Sequence, residues 1–314
     1  MRVSLVAFLL VFLPAFMLTG CQPRVELHIA FAPWVGYETL SLADEFNWLP
    51  EGAVLRRTAS GGESMEALRS GEVQVAALTL DEALRLRTEL PKIAIVLVMD
   101  ESAGADVVLA KAPLKSVRDL RGARVAVELG SVSEFLLRMA LDAEDLNMED
   151  IEVVDLSGSD LLAAFEQGVV DAVVAYPPLA DDISALGATR VFDSSEASNT
   201  IFDVLVVNRP SLINRQEVLS QVIAAHFKAL SHLDRNADDA VYRYAEYQGS
   251  SAAEVKATLT KIRLPRLQGV RALLAPDGAI EETARRMLAE KMVSPSDAGL
   301  PRLIDSQYLP RAVQ

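Results

Sequence analysis

Strand-like and helix-like segments alternate along this chain, and the alternation runs through twice. Residues 25–32 (VELHIAFA) are mostly apolar, as a buried first strand would be, and helical spacing follows over about 38–46. Strands are expected at 54–58, 73–78 and 93–99, with helices over 63–69 and 81–88 between them. The run 93–99 (IAIVLVM) is fully apolar, the mark of a central strand covered on both faces. After about residue 105 the order resumes. Strands are expected at 107–111, 124–128, 151–155, 172–175 and 201–207, with helices over 131–141 and 160–167. From about Arg215 onward the pattern is almost entirely helical, and Ser251 with Glu254 has the spacing of a capping box. Such an order implies an α/β chain whose sheets are mostly parallel and flanked by helices. There is also an internal echo. Glu66–Ala76 and Ala163–Val173 both read as helix, stopping glycine (Gly71, Gly168), then buried strand, as two related lobes would.

The first residues bear on compartment. Arg2 is followed by an apolar run, Val3 to Met17, shorter than the roughly 20 residues of a membrane-spanning helix. The run ends in Leu18-Thr19-Gly20-Cys21, and Cys21 is the only cysteine of the chain. This resembles a lipobox, so residues 1–20 are expected to be a lipoprotein signal peptide and Cys21 the lipidated start of the mature chain. Residues 21–25 would be a tether. The roughly 290 residues that remain suit two lobes better than one core. A net charge of -14 argues against nucleic acid, whose phosphates demand Lys and Arg. His28, His226 and His232 are too scattered for a metal site or a triad, and no phosphate loop or nucleophile elbow is present. No metal or cofactor is expected.

Several motifs, taken in order, are similar to one family. They are Trp34-Val35-Gly36-Tyr37-Glu38 after the first strand, then Gly104-Ala105-Asp106. Leu120–Val127 with Gly130-Ser131 follows, and then Gln167–Ala172 with Tyr176-Pro177-Pro178. Leu303-Ile304-Asp305 with Tyr308-Leu309 closes the series. Together they resemble the periplasmic substrate-binding proteins of the nitrate, sulfonate and taurine type, which include binders of the thiamine-pyrimidine precursor. The resemblance implies a two-lobed periplasmic-binding-protein-like fold of type II with a helical C-terminal region. It places the crossovers near 103–107 and 198–203, so that one lobe combines 26–105 with 204–314 and the other is 106–203. It implies a small-molecule ligand, an ABC permease as partner, a membrane contact through the Cys21 lipid, and a monomer on the periplasmic side of a bacterial membrane.

The candidate site residues sit at strand ends and glycine turns, where ligands of such sheets collect. Trp34 and Tyr37 offer large aromatic faces with polar handles, and Gly36 permits a tight turn between them. Gly61 and Gly62, ahead of a helix, offer backbone N–H groups to an anion or carbonyl. Ser131 and Ser133 form the parallel feature in the second half, as helix caps or ligand contacts. Asp100 and Asp203 are carboxylates in apolar strands and require a partner, from the ligand or from the hinge. Tyr176 follows the strand 172–175 and is a candidate for the same cleft. Phe135 and Met139 are expected in the core.

The strand-end motifs carry Glu38, Asp100, Asp106 and Asp203 and neither Arg nor Lys, although Arg56, Arg57 or Arg138 can still reach the cleft. The expected ligand is therefore neutral or amine-bearing, such as a pyrimidine stacked on Trp34 or Tyr37, with sulfonate or nitrate as the alternative. The expected role is capture and delivery to an importer, without catalysis. A sensing lipoprotein and an enzyme of the pyrimidine-precursor type on the same fold are the competing readings.

Overall fold

The computed structural model describes residues 25–197, 199–289, 292–293 and 299–312. The signal peptide, lipobox and Cys21 expected from the sequence lie outside the described residues. The first run of elements is β1 (Leu27–Phe31), α1 (Glu38–Glu45), β2 (Ala53–Arg57), α2 (Gly61–Ser70), β3 (Val75–Thr79), α3 (Leu80–Glu89) and β4 (Ile93–Ser102). The second is β5 (Val107–Ala110), β6 (Arg124–Val127), α4 (Val132–Asp142), β7 (Glu152–Asp155), α5 (Ser159–Glu166), β8 (Ala172–Ala175), α6 (Leu179–Ala185) and β9 (Thr189–Asp193). The chain then returns through β10 (Phe202–Asn208) to a helical region. That region holds α7 (Gln216–Arg235), α8 (Ala237–Gln248), α9 (Ala252–Leu259), a short β11 (Ile262–Arg263), α10 (Leu267–Leu273) and α11 (Ala279–Ala289).

Two sheets result. The first has the order β2-β1-β3-β10-β4-β11 and the second β7-β6-β8-β5-β9. Apart from the edge strand β11, the two orders correspond strand for strand. The helix–glycine–strand echo falls at equivalent places, with Gly71 and Gly168 both in the left-handed region that glycine tolerates. Most strands of each sheet share one direction, as expected, but the sheets are mixed. β10 is antiparallel to β3 and β4, and β5 to β8 and β9. β10 and β5 are the strands that have just arrived from the other sheet, and the short edge strand β11 is also antiparallel to β4. β4 leaves the first sheet at the edge where strands end, so β5 enters the second at that shared edge and must run away from it.

The two connecting segments are tied together. The hydroxyls of Ser102 and Ser194 lie 2.7 Å apart, and Ser194 Oγ accepts from the backbone N–H of Gly104 at 2.7 Å. Gly104 has φ +112°, a conformation L side chains rarely adopt. β4 is buried along its whole length, and both faces of the first sheet are covered, so its alternation disappears from the sequence. Phe135 is buried and Met139 packs against the same core. The late segment adds to β4 through a parallel bridge between Ile304 and Ile95.

Candidate ligand cleft

The carboxyl ends of β1 and β3 and the start of β10 meet residues from the second sheet at one cleft. It holds about 490 Å³ of non-protein space, part of it open to solvent. Trp34 and Tyr37, which follow β1, line it, and Tyr176, which follows β8, closes it from the other side. The Trp34 and Tyr176 rings meet edge to face with centroids 6.0 Å apart, bringing the two halves into contact. Thr79, Glu82, Asp106 and Asp203 supply the polar lining, and Ala32, Ala77, Val132 and Ile201 much of the rest.

Strand pairing explains why the cleft is acidic. Asp203 stands opposite Asp100 on β4 and opposite Thr79 on β3. Like charges directly opposite one another repel, and both aspartates are buried. Tyr37 donates its hydroxyl proton to Asp203, and Trp34 Nε1 donates to Asp100 Oδ2 at 3.0 Å. Burial first, and then the neighbouring Asp100 charge, push the Asp203 carboxyl well above the usual range. Burial likewise raises Asp100 to about 7 and Asp106 to about 6. Burial and then the Asp81 charge raise Glu82 to about 7. Asp100 does not line the cleft. It lies behind Gly36, where a Cβ would stand 1.8 Å from Asp100 Oδ2. Gly36 is therefore required less for its turn than for this close approach.

The helix starts near the cleft are not open to an anion. Gly61 and Gly62 are the first residues of α2 rather than a loop, because Ser60 caps the helix by accepting from Glu63 N–H at 3.2 Å. Gly61 reaches the cleft, but the Glu82 carboxylate packs on it, 2.5 Å from where a Cβ would stand. Gly62 is not part of the lining. Ser131 caps α4, accepting from Ser133 N–H at 3.1 Å, and Glu134 accepts from Gly130 N–H at 2.7 Å. Ser131 thus lies at the α4 start rather than in the cleft lining. Ser133 is buried and faces a neighbouring cavity.

The cations are engaged elsewhere. Arg57 pairs with the buried Glu38, which is thereby kept out of the cleft. Arg56 pairs with Glu72, Arg138 with Glu134, and Arg124 holds Asp171 through three hydrogen bonds. No Lys or Arg is among the described lining residues. His226 is buried, with Nδ1 2.8 Å from the Thr39 hydroxyl, and belongs to the core. No group of three metal-ligating side chains occurs among the described residues.

Residues 20–244 match the NMT1-like family. The chain belongs to this family. Among curated relatives, a putative aliphatic sulfonates-binding protein of Escherichia coli K12 is 28% identical over 172 residues, 54% of each chain. The chain thus spans about half the length of the curated relatives it matches. Among solved structures, the alkanesulfonate-binding protein SsuA from Xanthomonas axonopodis pv. citri, bound to MOPS, is similar with a TM-score of 0.73 and 21% identity. That likeness covers 90% of this chain and 98% of that one. The desulfurization enzyme DSZB is similar with a TM-score of 0.66 and 17% identity, over 91% of this chain and 97% of that one. These likenesses establish the NMT1-like chain as having the periplasmic-binding-protein-like fold.

Glu82 and Ile201 are among the lining residues that the sequence left unmarked. Glu82 looked like one more residue of an amphipathic helix, yet Thr79 and Glu82 have capping-box spacing. The Glu82 carboxylate accepts from Thr79 N–H at 2.9 Å, which turns it toward the strand end. Ile201 lay in an apolar strand pattern with nothing to mark it as lining.

Proposed function

We propose that this chain is a solute-binding lipoprotein, anchored by Cys21 on the periplasmic side of a bacterial membrane, that delivers its ligand to an ABC permease as a monomer. The ligand is a small flat molecule bearing an amine or other N–H donors, a pyrimidine being one such shape. Its ring lies against Trp34, Tyr37 and Tyr176, and its donors face Glu82, Asp106 and Asp203. Residues 26–105 with 204–314 form one lobe and 106–203 the other, and closure follows from contacts made only when both lobes hold the ligand.

The observation that carries this reading is the carboxylate-rich lining with no Lys or Arg among its described members. An anion there would have to displace Glu82 from the start of α2 and stand among buried carboxylates. A cation or donor instead supplies what the carboxylates lack. The relatives' names mention sulfonates, but a relative aligned over half its length leaves the pocket chemistry free to differ. Binding is favoured over catalysis because the curated relatives are named as binding proteins.

A thermal-shift panel tests the ligand class. Benzylamine and 4-aminopyrimidine are expected to raise the melting temperature roughly with the logarithm of their concentration once above Kd, and taurine, ethanesulfonate and nitrate to leave it unchanged. A panel in which only the anions act refutes the donor reading. Replacing Trp34 with Ala removes the ring against which the ligand lies and frees Asp100 Oδ2. The shift is expected to vanish, and a full shift in W34A assigns Trp34 to packing alone.

A further inference from the structure

Beyond Tyr176 lies a second cavity that the reading above leaves unused. It occupies the second sheet's side of the cleft, outside the ends of β6 and β8, and holds about 820 Å³ of non-protein space, part of it open to solvent. Its walls include Leu161 and Leu162 on α5, Leu179 on α6, and Val174 and Ala175 on β8. Tyr176 lines both cavities, and Ser133 in this one directly follows Val132 in the other. The two spaces therefore share a wall, and a ligand held in the cleft lies beside an apolar groove at the strand ends of the opposite sheet. The acidic groups of this groove are Glu128 and Asp182, and no Lys or Arg is among its described lining residues. Glu128 is raised by burial and by the Asp155 charge, so the groove disfavours an anionic group as the cleft does.

We infer that this groove takes an uncharged alkyl or aryl arm of the same ligand, so that the molecule captured is an amine-bearing head carrying an apolar extension. This rests on the amine reading proposed above and narrows it. Leu162 and Leu179 are only partly buried, as residues are that await a covering group at the edge of a core. An apolar arm past Tyr176 removes their exposed surface from water, at roughly fourfold in affinity for each methylene buried.

Isothermal titration of the full chain with benzylamine and with 4-pentylbenzylamine tests this. The pentyl compound is expected to bind at least about 50-fold more tightly, allowing for incomplete burial. In a Leu162→Gln, Leu179→Gln double variant, benzylamine is expected to bind as in the wild type while the preference for the pentyl compound drops below about fivefold. Retained benzylamine binding also reports that the variant is folded. Equal affinities of the two compounds in the wild type overturn the inference, as does an undiminished preference in the variant. If benzylamine does not bind and taurine or nitrate does, the amine reading itself has failed, and this inference fails with it.

Discussion

Gly36→Ala is expected to destabilise the protein by roughly 2–4 kcal/mol and to abolish ligand binding together with it. The added Cβ would stand 1.8 Å from Asp100 Oδ2, 2.6 Å from its Cγ and 2.9 Å from Trp34 Nε1. Neither group can retreat cheaply. Asp100 is fully buried in β4 opposite Asp203, and Trp34 is held by its hydrogen bond to Asp100. Relief requires that bond to break, which leaves a buried indole N–H and a buried carboxyl unpaired and turns Trp34 out of the cleft wall. Gly62→Ala is the matching control, since its Cβ would meet only Ser60 Oγ at 3.6 Å, an ordinary contact. In a helix that substitution is expected to be neutral or slightly stabilising. Urea unfolding of both variants gives the comparison. A Gly36→Ala protein as stable as Gly62→Ala removes the close-packed Asp100–Trp34 arrangement from the account.

The second large effect is on pH. Asp100, Asp106, Glu82 and Asp203 all hold their protons more tightly in the folded protein than a free carboxyl does. Below about pH 3 these groups are protonated in both states and do not distinguish them. Between there and pH 7 the folded state binds more protons than the unfolded, so stability falls as pH rises. The loss is on the order of a few kcal/mol. Groups held low act in the opposite sense. The Arg124 hydrogen bond keeps Asp171 below its usual range, and the Arg243 hydrogen bond does the same for Asp239, so stability is also lost in strong acid. The empty protein should therefore be most stable in mild acid.

An amine ligand reverses the trend. It favours the ionised carboxylates, so its binding releases protons and its affinity rises between pH 5 and 8. Glu82→Gln separates the two effects. It is expected to raise stability at pH 7.5, leave it unchanged at pH 4.5, and weaken benzylamine binding at least about tenfold, the loss of one charge-assisted contact. Stability of the wild type that climbs steadily from pH 4.5 to 7.5 contradicts this electrostatic picture.

The architecture was legible because its signals are local. The fully apolar 93–99 run, the helix–glycine–strand echo and the helical tail each follow from period and capping. The reversed crossover strands were not legible, since β5 and β10 read as ordinary apolar strands and their direction depends on which sheet they enter. In the cleft, Trp34, Tyr37, Tyr176 and Asp203 come together at strand ends as their positions suggested. Asp100 was marked by its place in an apolar strand, but whether it faces ligand or protein depends on the register with β10, which no local pattern states. Glu38 carried an apparent cleft charge that Arg57, nineteen residues on, neutralises. Glu82 illustrates the converse: a side chain whose direction is set by a cap rather than by helical period.

A carboxylate-lined cleft without Lys or Arg among its described members suits a donor-bearing ligand. Native mass spectrometry of the protein purified from its own cells without unfolding tests it most directly. A bound molecule that carries an amine or N–H-bearing ring with an apolar extension, and that is released on acidification, is expected. A co-purified sulfonate or nitrate would contradict it.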